Sequence, residues 1–208
     1  LGDVYKRQIP DRVYLLADDI FDEMVSRNVG EYRYPLGGKL YVFNKNENIG
    51  FIKGHMCSPA IATQAEDLIA GGVKELIHVG YAGGLQPELV PGEIILTDGA
   101  FNDTAVARLY GYDYDIIHSS KDLTNEIEEM ITSAEILYKR GFHWTTDAGY
   151  RETWGQVMDY RDKGALCVEM EGVGLFTIAN YRKCVATGIY VVSDVYLSLI
   201  HISEPTRH

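Results

Sequence analysis

The chain has 208 residues, of which 46% are apolar, enough for one sizeable core or two small ones. Thirty Asp and Glu against nineteen Lys and Arg give a net charge of −11, which argues against a basic stripe for nucleic acid. No run of about eighteen apolar residues occurs to span a membrane, and the first residues lack the charged, apolar and small-residue order of a signal peptide. The three cysteines, Cys57, Cys167 and Cys184, are far apart and lack CxxC spacing. They read as buried thiols in a reducing compartment, not as a disulfide framework or zinc site. The expectation is an acidic, soluble, cytoplasmic protein.

Residues 1–8 (LGDVYKRQ) and 197–208 (LSLIHISEPTRH) resemble translations of one transposon-type sequencing adaptor, read on opposite strands. They are expected to be non-native, so His201 and Arg207 carry no functional weight and a single domain is expected over 9–196. In chain order, VYLLA (13–17) predicts a strand and 18–28 a helix. KLYVF (39–43) and IGFIKG (49–54) predict further strands. A helix over 60–71 follows Ser58-Pro59 and stops at Gly71-Gly72. ELIHVG (75–80) and EIILTD (93–98) predict strands, and 101–120 reads as a long loop over the sheet. Helices are predicted over 121–139, 152–163 and 169–183, then a buried strand over CVATGIYVVSD (184–194). Strands alternating with helices predict an α/β fold.

Three segments carry candidate chemistry. GYAGGL (80–85) follows a strand, and its glycines permit either a tight turn or an anion-binding nest. VEMEG (168–172) opens a predicted helix, where Glu169 and Glu171 would suit the helix dipole. An i,i+2 pair in a helix does not face one way, so at most one of the two would point into a site. Ser193-Asp194 ends a strand, where Asp194 would serve either as a general acid or as an N-cap. His55, His78, His118 and His143 follow no metal-ligand spacing. No GxSxG or Walker pattern is present.

Taken in order, HMCSPAIATQAEDLIAGGVKELIHVGYAGGL (55–85), PGEIILTDGAF (91–101), TTDAGYRE (145–152), ALCVEMEGVGLFTIAN (165–180) and VVSD (191–194) resemble the purine/uridine nucleoside phosphorylase superfamily. The resemblance implies one three-layer α/β domain, a mixed central sheet flanked by helices and curled toward a barrel. It also implies a homo-oligomer, dimer or hexamer, that binds a small nucleoside. The reaction implied is cleavage of the N-glycosidic bond with inorganic phosphate as co-substrate, without metal or organic cofactor. An oxocarbenium-like sugar in the transition state explains anionic groups near the ribose.

By the same resemblance, Glu171 binds the ribose hydroxyls, Met170 packs under the sugar and Met56 lies on the sugar side. Asp194 protonates the purine ring as the base leaves, with Tyr150 and Glu169 beside the base. Gly83 and Gly84 admit the sugar and anion, His78 falls on the phosphate side, and Arg33 matches the Arg that some hexameric members lend to a neighbour's phosphate site. Two departures stand out. ADDIFDE (17–23) occupies the place of a GDPGR-like phosphate loop, and His78 and Tyr81 stand where the family has Arg and Ser or Thr. An imidazole does not reproduce a bidentate guanidinium clamp. The expected activity is phosphorolysis of a purine (or uridine) nucleoside, the alternatives being a nucleosidase that uses water or an inactive nucleoside-binding relative.

Overall fold

The β-rich apolar runs form strands, and the amphipathic segments between them cover both faces of the resulting sheet. The structure is a computed structural model that describes residues 9–195; the expectations for 1–8, Tyr196 and 197–208 lie outside the described residues. The elements are β1 (Arg12–Leu16), α1 (Asp18–Ser26), β2 (Gly30–Tyr34), β3 (Leu40–Phe43), β4 (Asn46–Lys53), α2 (Ser58–Ala70), β5 (Glu75–Gly84) and β6 (Ile94–Asp103). They continue as α3 (Val106–Leu109), β7 (Ile116–His118), α4 (Lys121–Ser133), β8 (Tyr138–Thr146), α5 (Trp154–Asp162), β9 (Cys167–Glu169), α6 (Gly172–Arg182) and β10 (Val185–Val195).

The ten strands belong to one mixed sheet, in the order β10-β6-β8-β9-β5-β1-β4-β3-β2, with β7 on β6. An additional parallel pairing of β10 with β5 closes β5, β9, β8, β6 and β10 into a ring, so half of the sheet is a barrel. The other half, from β1 to β2, extends from β5 as an open wing. Helices α2 and α6 cover one face through Ile61, Ala65, Leu68, Val173, Phe176 and Ile178, packed on Val13, Leu15 and Ile52. On the opposite side, α4 packs Leu123, Ile127 and Ile131 against Ile77 and Leu96. Helix, sheet and helix thus form the three layers expected.

Several expectations are corrected. The glycines of 80–84 make no turn: they continue β5 as extended backbone, and none has a positive φ. The reason is pairing on both edges, Gly83 with Asp194 of β10 and with Val168 of β9. A side chain at Gly84 would come within 3.2 Å of Val192 Cγ1, so the glycine serves close strand packing. The segment 101–120 is not one loop, because it contains the end of β6, α3 and β7. The predicted helix 121–139 stops at Ser133, and β8 begins five residues later after Glu135 turns at φ +57°. The predicted helix 169–183 begins at Gly172, with Glu169 ending β9 and Glu171 as N-cap, so the two carboxyls stand beside its first turn and not within it.

Candidate functional site

Alternation along the ring strands brings polar side chains to its inner face. They are His78 of β5, Thr97 of β6, His143 and Thr145 of β8, Glu169 of β9 and Tyr190 of β10, all buried. Glu169 is the centre of the set. Its Oε1 accepts the Thr145 hydroxyl at 2.5 Å and lies 3.0 Å from His143 Nε2. Its Oε2 accepts the backbone N–H groups of Glu171 and Gly172, both at 2.8 Å, and so satisfies the start of α6. The second imidazole nitrogen, His143 Nδ1, sits 2.6 Å from Thr97 Oγ1. Tyr190 packs its ring against both His143 and His78, at centroid distances of 4.8 and 5.5 Å.

This buried network meets an open cleft of about 330 Å³ through His78, the one member that lines it. The cleft lies where the chain leaves β1 (Ala17, Asp18, Asp19) and β4 (Gly54, His55, Met56), against His78, Gly80 and Tyr81 of β5 and the side chain of Glu171. Carboxyl ends of strands in open α/β sheets are the usual place for such a cleft. Glu171 is held from across the fold. Its Oε1 accepts the N–H of Cys57 at 2.7 Å, and Cys57 precedes α2 with the unusual φ of +73°. Ser58, the first residue of α2, donates its hydroxyl to the Met170 carbonyl at 3.0 Å. The SPAIA start of α2 and the VEMEG segment therefore lock each other.

Electrostatics divide the site. Burial pushes the Glu171 carboxyl up, and the negative charge of Glu169 adds to this, so that its pKa stands at about 8. Burial acts on Glu169 in the same direction, but the imidazole of His143 and the Thr145 hydroxyl outweigh it and hold the carboxyl well below the usual range. Burial lowers His78 to about 4, so its ring is neutral. Its Nδ1 has no hydrogen-bond partner. At the mouth, the Tyr81 hydroxyl donates to Asp19 at 2.6 Å, and Lys53 pairs with Asp18 at 2.6 Å. No lysine or arginine lines the cleft among the described residues.

The structure brings Glu171, Met56, His78 and Glu169 together at this cleft and beneath it. Met170 leaves the cleft wall to Glu171 and lies near Gly149. Asp194 is half-buried on β10, paired with Gly83 after a bulge, with the Ser193 hydroxyl 2.6 Å from its Oδ1. It is in a strand, not at a helix cap. Tyr150 is fully exposed in the short 3-10 turn Gly149–Arg151. Arg33 lies on β2 in the wing, paired with Glu47 at 2.9 Å and Glu31 at 3.4 Å, and does not line the cleft. Both main-chain edges of Gly83 and Gly84 face neighbouring strands.

No motif in the sequence singles out His143, Thr97 or Thr145; the one signal is the alternation of His143 and Thr145 on one face of β8, whose polar start masks the strand. His78, Glu169 and Glu171 place one ligating atom each within 4.8 Å of one another, the spacing a metal ion would need. Glu169 nevertheless already accepts bonds on both oxygens, so the donor set is engaged in holding the protein.

The sequence profile described as phosphorylase superfamily matches residues 9–206. A purine nucleoside phosphorylase DeoD-type of Exiguobacterium sibiricum is 29% identical over 192 residues, covering 91% of this chain and 80% of that protein. A second protein of the same name, from an Exiguobacterium species, is 30% identical over 192 residues, covering 91% and 79%. The purine nucleoside phosphorylase DeoD-type 1 of Shewanella oneidensis is 26% identical over 202 residues, covering 95% and 83%. With the barrel-closed mixed sheet and the cleft at its strand ends, these matches show that the chain belongs to the phosphorylase superfamily.

Proposed function

We propose that this protein cleaves the N-glycosidic bond of a purine nucleoside with phosphate, releasing the free base and ribose 1-phosphate. The observation that carries the reading is Glu171. It is a carboxyl group fixed by a backbone N–H on the floor of a strand-end cleft, beside Met56, where a sugar would find both a hydrogen-bonding group and an apolar contact. The relatives' names support the substrate class. In this reading Glu171 holds the ribose, and Asp194, near the same strand ends, supplies a proton to the departing purine. Tyr150 and Met170 line the base and sugar, and the protein works as a homo-oligomer in the cytoplasm without metal or organic cofactor.

A second reading, with water as the nucleophile, is favoured by one specific observation. The cleft wall where an anion would approach carries Asp18, Asp19 and a neutral His78; no lysine or arginine lines it among the described residues, and Lys53 at the mouth is engaged by Asp18. Carboxylates oppose a phosphate where arginine would clamp it. Incubation with inosine, adenosine and uridine, in phosphate and in phosphate-free buffer, separates the readings. Phosphate-dependent base release from the purine nucleosides with ribose 1-phosphate supports the first. Equal release without phosphate supports the second, release from uridine alone overturns the purine assignment, and no release from any of the three overturns both.

A further inference from the structure

The two carboxyl groups of the VEMEG segment bring oxygens within 4.8 Å of one another, Glu169 buried and Glu171 half-buried, so their mutual repulsion favours only one of them carrying charge. Which one does is decided by their partners. Glu171 accepts from two backbone N–H groups, Cys57 at 2.7 Å and, weakly, Met170 at 3.3 Å. Glu169 accepts from three donors, two of them backbone at the start of α6 and one the Thr145 hydroxyl of β8, and its Oε1 lies 3.0 Å from His143 Nε2. Imidazole and carboxylate are both enclosed, with side chains 0% and 1% exposed, so their contact is not screened by water.

We propose that His143 is a positioning residue which, with Thr145, keeps the site's single negative charge on Glu169 and thereby presents Glu171 to the cleft as a neutral carboxylic acid. A neutral Glu171 offers one O–H donor and one acceptor to a sugar hydroxyl pair, where a carboxylate would offer acceptors only. It does so without adding a second buried anion. The inference rests on the reading that Glu171 faces the sugar, but it concerns a state of the protein that exists before any substrate binds.

The groups facing Glu171 come from every side of the ring. Glu169 on β9 repels a second charge, and burial keeps His78 on β5 neutral. Cys57 ahead of α2 contributes its N–H and a thiol that burial pushes up, and burial raises the Tyr190 hydroxyl of β10. Asp147, at the end of β8, acts on the same Cys57 thiol as a further negative charge. None of these supplies a cation to Glu171. The side-chain donors that favour charge, His143 and Thr145, both serve Glu169. Thr97 supports the arrangement from behind by contacting His143 Nδ1, while its own backbone neighbour Gly99 donates an N–H to the same oxygen at 3.1 Å.

The test is carboxyl 13C NMR of the full chain carrying side-chain-labelled glutamate, with Glu171→Gln and Glu169→Gln used to assign the two signals. In the wild-type protein at pH 7, Glu169 is expected as the carboxylate and Glu171 as the acid, with about a tenth of Glu171 ionised. His143→Phe keeps a ring against Tyr190 and Phe176 but removes the donor. Combined with Thr145→Val, it is expected to raise the ionised share of Glu171 severalfold and to protonate Glu169. His143→Gln, which retains an N–H donor, is expected to restore much of the wild-type distribution. A Glu171 signal that is ionised throughout in the wild type overturns the proposal. So does a Glu171 signal that does not move in a folded double variant. Should the double variant fail to fold, Thr145→Val alone must still shift the distribution in the same direction. The readout needs no turnover, so failure here is separate from failure to release base from a nucleoside.

Discussion

The N–H of Cys57 reaches 2.7 Å to the Glu171 carboxyl oxygen, joining residues 114 positions apart in the chain. To aim that N–H, Cys57 adopts φ +73° and ψ 149°, a backbone region in which a side chain is strained and glycine is at ease. Cys57→Gly is therefore expected to keep the bond and raise stability by about 1 kcal/mol, whereas Cys57→Val lowers it by about 1–2 kcal/mol. Chemical denaturation of the two variants checks the order. A glycine variant less stable than the valine variant would show that the conformation is not strained.

The raised carboxyl of Glu171 makes stability depend on pH. The folded chain keeps this proton to about pH 8, while an ordinary glutamate releases it near 4.5. Folding therefore loses stability as pH rises between those two values. Glu171→Gln removes the loss and is expected to stabilise the protein at pH 8 by on the order of 2–4 kcal/mol, the two proteins converging near pH 4.5. His78 acts in the opposite sense. Its folded pKa of about 4 lies below the ordinary 6.5, so the stability it contributes is lost as pH falls through that interval. His78→Leu should flatten the acid limb of a melting-temperature profile. Parallel profiles for wild type and both variants would refute this account.

Asp194 carries the proposed proton transfer to the base. Asp194→Asn is expected to slow turnover of purine nucleosides by at least about tenfold, with little change in melting temperature, since the side chain is half-buried and its side-chain partner among the described residues is the neighbouring Ser193. Steady-state rates on inosine and adenosine decide this, and an unchanged rate removes Asp194 from the mechanism.

Two glycines of α6 are placed by close approach. A methyl at Gly174 would stand 2.5 Å from the Ser58 carbonyl oxygen and 2.8 Å from its Cα, so Gly174→Ala must push α2 and α6 apart. A loss of about 2 kcal/mol or more is expected in denaturant unfolding. A methyl at Gly172 would instead strike the His143 ring and the Tyr190 hydroxyl. Gly172→Ala is expected to disturb the Glu171 carboxyl signal as well as stability, which distinguishes it from its neighbour.

The frame of the fold was legible wherever one residue pattern sufficed. β1 and β10 are apolar runs of the right length, β4 and β6 are marked by their apolar parts though each extends into polar residues, and α2 carries its own start and stop signals in Ser58-Pro59 and Gly71-Gly72. What escaped depended on tertiary partners. The glycines after ELIHV look like a turn, but strands on both sides draw them straight. β8 begins with Tyr138, Lys139, Arg140 and Gly141, a polar stretch after an amphipathic helix, and two of these are held by charges elsewhere. Arg140 pairs with Asp98 and Glu128, and Lys139 with Glu93. The site was half legible. VEMEG marked Glu171, but its link to Cys57 and the grip of β8 on Glu169 exist only once the ring has closed.

That closure has an order in time. β5 and β10 pair along ten positions, although β5 ends at Gly84 and β10 starts at Val185. A chain emerging from a ribosome can assemble the wing around β1, β4 and β5 early, yet it cannot complete the ring until almost the last described residue has appeared. Until then, β5 and β6 each show a bare edge of unpaired amides and carbonyls to any strand nearby. Synthesis thus passes through a stage with its own hazard of misassembly. The buried polar network beside the cleft, built from side chains of all five ring strands, comes into being in one late step.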